Sequence, residues 1–277
     1  MVTQAASDQT GLPAGIPVAA GAGDVAALAL GTGAIDVGTY AITLGTAGHV
    51  VSVARGVDDA GYDKIWQMRH PVPDRVIRLG LVMSGGLCLQ WFTKTYVSDG
   101  ATPTPANYAS VLDRAKEAPP GSRGVTFLPF MEGAATPFQD PTMTAGFAGL
   151  RTQHGFADTA RAVLEGVAYN VRDSVSLLES LGTRAESIRL SEGGSQSPLW
   201  SQIIADVLQR PIVTLHERDS SALGAALLAR QTTLAGELSD GVESVLHGIE
   251  ERWYEPRSNV AERYDEAYAR YIELASS

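Results

Sequence analysis

Three glycine-bearing turns limit the folds open to this chain: Gly21-Ala-Gly23, Gly45-Thr-Ala-Gly48 and Gly193-Gly194. Each follows a short apolar run that reads as a strand. Bare backbone at a strand end leaves N–H groups pointing outward, an arrangement suited to anions such as phosphate. One such turn would say little. Three in one chain, one with a hydroxyl (Thr46) and one with a lone carboxylate (Asp24), point to a phosphate-bearing ligand beside a base. Apart from Asp8, Asp24 is the only ionisable side chain ahead of Asp36. Asp is also a preferred helix N-cap, so a plain capping role stands as the alternative to chemistry.

The pattern along the chain predicts the framework that holds these turns. Residues 1–16 are polar and punctuated by Gly and Pro, and read as a linker or N-terminal arm ahead of a domain spanning 17–277. Met1 lies close to the first turn, so sequence upstream of it is expected. Residues 17–20 read as a short buried strand and 24–33 as a helix stopped by Gly33. Residues 40–44 and 50–53 read as a hairpin around the second turn. A crossing strand is expected within 55–75, then a helix over 87–96 with Leu87, Trp91 and Tyr96 on one face. Tyr108, Val111, Leu112 and Ala115 mark a second amphipathic stretch, followed by a strand at 125–130 and a loop at 133–141. Apolar residues from Ala160 to Leu181 recur at three- and four-residue spacing, the signature of a long helix. A strand at 188–191 follows, then a helix opened by Ser197-Pro198, an N-cap followed by proline at the first helical position. The chain closes with a strand at 211–214 and helices over 221–230 and 260–274. Strands first, then alternating helices and strands, predict one α/β domain with a mixed sheet flanked by helices.

Composition narrows the partners. The net charge is −10 with no Lys/Arg-rich run, which argues against nucleic acid or an anionic membrane surface. The single cysteine, Cys88, sits between leucines and reads as core packing, and a reduced, cytoplasmic setting is expected. There is no apolar run of membrane-spanning length. His49, His70, His154, His216 and His247 lack metal-ligand spacing, so no metal site is expected on them. Gly21-x-Gly23-x-x-Ala26 matches a loose dinucleotide fingerprint. That reading fails because 40–44 ends without the required acid and Asp24 would face the pyrophosphate.

Taken together, these segments resemble the C-terminal domain of the FGGY carbohydrate kinases, nearest the xylulokinase branch. The likeness begins with 11–18, Gly21-Ala-Gly-Asp24 and Leu44-Gly-Thr-Ala-Gly48. It continues through Ser84-Gly-Gly86, Leu89-Gln-Trp91, Phe127-Leu-Pro-Phe130, Thr136-Pro137 and Phe147-x-Gly149-Leu150. It ends with Ala162-Val-Leu-Glu-Gly166, Gly193-Gly194-x-x-Ser-Pro-Leu-Trp200 and Ala222-Leu-Gly-Ala-Ala226.

The resemblance implies an actin-like, ribonuclease H-like ATPase domain that works with ATP and Mg2+ on a small sugar or polyol. It makes Asp24 the general base that takes the hydroxyl proton, with Val25 beside it at the sugar. Gly45 and Thr46 would meet the terminal phosphates. Gly86, Gln90, Gly193, Gly194 and Ser197 would hold the rest of the nucleotide. A ketopentose such as D-xylulose is the implied substrate, and a homodimer is an assembly the family forms. Four places depart from the family pattern: Val25 for Asn or Gln, Ala134-Ala135 for Glu-Arg, Glu192 for the first glycine of a triplet, and Gln196 for a basic residue. The family's N-terminal half, with most sugar contacts, has no counterpart here, so this chain alone is expected not to turn over. A non-catalytic actin-like module that binds nucleotide or protein is the alternative.

Overall fold

A computed structural model describes residues 1–57, 63–182, 184–215, 219–233 and 236–277. His216 and part of the 55–75 segment lie outside the described residues. The first element is a seven-residue helix, α1 (Gln4–Thr10), inside the stretch read as an arm. It buries no residue and is closed by bonds between Val2 and Gly15–Ile16. Residues 17–20 form no strand: they run exposed with no ladder partner among the described residues, and Pro17 could not donate to one.

Helix α2 (Asp24–Thr32) follows and ends at Gly33 in the left-handed region. Strands β1 (Tyr40–Leu44) and β2 (Gly48–Ala54) form the expected hairpin, Leu44 opposite Gly48. Next come β3 (Trp66–Arg69) and β4 (Val76–Val82), then α3 (Gly86–Tyr96) and α4 (Pro105–Ala115). A small ribbon of β5 (Thr126–Leu128) and β6 (Gly146–Ala148) precedes the 25-residue α5 (Phe156–Ser180). The rest is β7 (Ile188–Ser191), α6 (Pro198–Leu208), β8 (Ile212–Leu215), α7 (Ser220–Gln231), α8 (Leu238–Leu246), β9 (Glu251–Tyr254) and α9 (Ala261–Ala275).

Seven strands make one mixed sheet in the order β3-β4-β2-β1-β7-β8-β9. The β1–β7 and β7–β8 pairs are parallel and the others antiparallel. Alternation along β1 divides its side chains between two layers. Tyr40, Ile42 and Leu44 join the main core, built on α3, α4, α5, α6 and α9, while Ala41 packs with Ala34 and Val53 on the other face. On that second face α2 lies over Val51, Ile77 and Leu79, and α7 and α8 continue the layer toward β8. The two helices α2 and α7 touch backbone to backbone. A Cβ on Gly224 would lie 1.8 Å from the Ala27 carbonyl oxygen, so only glycine fits.

Two sequence readings shift. The interior strand β4 falls where none was expected, because Arg78 and Gly80 break the apolar pattern; Gly80 is needed where Ser174 of α5 crosses, 3.0 Å from the position of a Cβ. Helix α3 buries Cys88, Leu89, Phe92 and Thr93 rather than Leu87, Trp91 and Tyr96. Cys88 is core, as expected: its thiol donates to the Ser84 and Pro129 carbonyls, and burial pushes it up to about 12. No helix among the described residues is long and apolar enough to cross a membrane.

Candidate active site

The hairpin turn 45–47 is held from behind by α3. Gly85 and Leu87 donate to the Thr46 carbonyl at 2.9 and 3.1 Å, and Gly86 donates to the Gly45 carbonyl at 2.6 Å. The turn thus takes up the first N–H groups of α3, which a helix start otherwise leaves orphaned. The Thr46 and Ala47 N–H groups, in contrast, find no acceptor among the described residues. A Cβ on Gly86 would come within 2.6 Å of the Gly45 oxygen, so glycine is what lets α3 reach the turn.

On the parallel side, β7 ends at Ser191 and Glu192 turns the chain into a single 3-10 turn, Gly193–Gln196. Glu192 holds φ 68°, a conformation natural to glycine. Burial pushes its carboxyl up, with a bond from the Ser220 N–H opposing that shift and the Asp219 charge adding to it. Ser197 caps α6, its hydroxyl accepting from Trp200 N–H at 3.2 Å.

Between these two loops lies a cleft of about 520 Å³. All seven residues expected to hold a nucleotide line it: Gly45, Thr46, Gly86, Gln90, Gly193, Gly194 and Ser197. Gln196, one of the departures from the family pattern, lines it too. They come from three distant segments, and only the fold brings them together. Sequence reasoning missed the apolar part of the lining, Leu89, Tyr108, Leu112 and Trp200. Tyr108 and Leu112 were legible as an amphipathic face, but that pattern reads the same for a core as for a cleft wall.

Asp24 does not line this cleft. It is the first residue of α2, behind the N-cap Gly23, and no side chain caps the helix. Among the described residues its exposed carboxylate accepts only from its neighbour, the Val25 N–H, at 2.8 Å. That bond satisfies one of the orphan N–H groups at the start of α2, so a helix-terminus role stands beside a catalytic one. Val25 is buried with Val51, Ile77 and Leu79, so its place is the core under α2 rather than an open substrate face. The link from Asp24 to the hairpin is electrostatic. Burial lowers the half-buried His49 imidazole from its usual range, and the Asp24 charge opposes that shift. Among the described residues no three His, Cys, Asp or Glu side chains gather as a cation site.

The family model described as the C-terminal domain of the FGGY family of carbohydrate kinases matches residues 42–231. Xylulose kinase from Staphylococcus epidermidis is 30% identical over 82% of this chain and 45% of its own. Xylulose kinase from Escherichia coli is 34% identical over 78% of this chain and 43% of its own. The crystal structure of xylulose kinase from Rhodospirillum rubrum superposes with a TM-score of 0.85 at 31% identity, covering 99% of this chain and 54% of that one. Plasmodium falciparum glycerol kinase with ADP, 18% identical with a TM-score of 0.75, shares the fold. The chain spans about half the length of these relatives. Its mixed sheet flanked by helices is the actin-like ATPase fold, and the chain belongs to the FGGY family of carbohydrate kinases, within the C-terminal domain.

Proposed function

We propose that this chain is the ATP-binding domain of a cytoplasmic sugar kinase that transfers the γ-phosphoryl group to a ketopentose hydroxyl. D-xylulose is the substrate the named relatives favour. The observation that carries the reading is the cleft. Its apolar lining is suited to a purine ring, and its two glycine loops to phosphates. The Thr46 and Ala47 N–H groups would receive the terminal phosphates, since they have no other acceptor among the described residues. Asp24, in the first turn of α2, would take the proton from the attacking hydroxyl. Phosphoryl transfer of this kind depends mostly on positioning and charge stabilisation. Mg2+ would arrive on the nucleotide, with phosphate oxygens and water among its ligands.

The sugar-binding half of the longer relatives would supply the other wall, and without it we expect nucleotide binding but no turnover. Calorimetry with ADP tests the reading on this chain directly. Saturable binding at one site supports it, and no binding at millimolar ADP overturns it. Sugar-dependent ADP release after addition of the N-terminal half would separate a kinase from a non-catalytic nucleotide-binding module.

A further inference from the structure

A second cavity, of about 630 Å³, opens at the end of the β1–β2 hairpin opposite the turn 45–47. Strand register builds its floor. Tyr40 opens β1 and stands opposite Ser52 of β2, which in turn stands opposite Arg78 of β4. Residues opposed across a sheet share a face. A phenol, a hydroxyl and a guanidinium therefore form one row, on the side where Tyr40 packs in the main core. Leu178, Leu181 and Gly182 at the end of α5 complete the lining, and Arg55, exposed just past β2, lines it too.

The charge in this cavity is of one sign. Among the described lining residues the charged side chains are Arg55 and Arg78, both cationic, in a chain of net charge −10. Walls carrying one sign of charge concentrate the opposite ion. Arg78 donates to the Leu181 carbonyl, offsetting the negative end of the α5 dipole. A guanidinium carries five N–H donors in a rigid fork, so it can serve a helix end and a second acceptor together. Burial, helped by the Glu179 charge, pushes the Tyr40 hydroxyl up to about 12, so it stays a donor at neutral pH. Glu179 itself is bound by Arg210 at 3.3 Å and by the Ala185 N–H at 3.1 Å. Guanidiniums and hydroxyls converging on one space suit an anion with several oxygens, and the Arg fork matches phosphate. A cavity of this volume holds a small organic molecule rather than a bare ion.

We propose that this cavity binds a small phosphomonoester, its phosphate held by Arg55 and Arg78 and by the Tyr40 and Ser52 hydroxyls. The site shares no lining residue with the nucleotide cleft, and it stands whether or not the kinase reading holds.

The probe is glycerol 3-phosphate, titrated into this chain with excess ADP present to occupy the cleft, and followed by assigned glycine amide resonances. Gly38, Gly56 and Gly182 line the second cavity, and Gly45, Gly86 and Gly193 line the cleft. The first three are expected to shift saturably at millimolar probe while the other three stay in place. Arg55→Glu, at an exposed position, should weaken that response by about tenfold or more, because a charge-assisted bond becomes a like-charge repulsion. It should leave ADP affinity unchanged. Unmoved resonances at Gly38, Gly56 and Gly182 overturn the proposal. So do shifts that sodium chloride reproduces at equal ionic strength, and a response that Arg55→Glu leaves intact. A chain that binds the probe but not ADP removes the nucleotide reading and supports this site.

Discussion

Gly86→Ala puts the cleft's construction to a quantitative test. The added Cβ would stand 2.6 Å from the Gly45 carbonyl oxygen and 3.3 Å from its carbon. Both are backbone atoms, so relief requires the turn to recede from α3 by roughly 0.5–1 Å. That movement strains the bonds from Gly85, Gly86 and Leu87 that hold the turn. Overpacking of this size typically costs about 1–3 kcal/mol. For a chain of this length that corresponds to a Tm drop of roughly 2–8 °C. A shift approaching 1 Å at the groups facing the phosphates should also weaken ADP by about tenfold or more, because misplacement on that scale is costly. The control is Gly224→Ala. Its Cβ meets the Ala27 oxygen at 1.8 Å, it is not among the residues that line the cleft, and it should destabilise at least as much. Thermal melts and calorimetry on both variants, taken well below their transitions, separate the effects. Gly86→Ala should lose stability and affinity, Gly224→Ala stability alone. A Gly86→Ala chain with wild-type Tm and wild-type ADP affinity would refute the account of the turn.

Leu112→Glu places a carboxylate in the apolar lining of the cleft, and ADP affinity should fall by about tenfold or more, with Tm nearly unchanged because the side chain is only half-buried. Asp173, buried on α5 beneath the Tyr268 hydroxyl at 2.5 Å, has its carboxyl raised to about 6, chiefly by burial. Since its folded value exceeds the unfolded one, its contribution to stability is present below about pH 4 and is lost as pH rises through about 6. Asp173→Asn should flatten that part of a Tm-against-pH curve, and an unchanged slope would show the acid to be ionised throughout.

Much of the site was legible because glycine and proline chemistry is local. The turns at 45–48 and 193–194 and the Ser197-Pro198 helix start follow from backbone freedom and capping, and each stands where the pattern put it. Residues 17–20 show the converse. A short apolar run between glycines looks like a strand, but only a neighbouring strand makes it one, and among the described residues none adjoins it. β4, α8 and β9 were passed over because Arg78, Glu243 and Arg252 interrupt their apolar pattern. What defines them lies far off in sequence: α5 crosses β4 at Gly80, and β9 is a strand because it pairs with β8. The cleft's apolar lining is a tertiary fact. No spacing along the chain encodes that α4 faces α6.

The central claim is that Asp24 serves as the base beside a nucleotide held by this domain. The most direct measurement is sugar-dependent ADP formation by the protein with its sugar-binding half present, wild type against Asp24→Asn, with ADP affinity measured in parallel. The account predicts a loss of about 10²-fold or more in kcat, the usual contribution of a positioned base, with nucleotide affinity retained. Turnover reduced by less than about tenfold would contradict it.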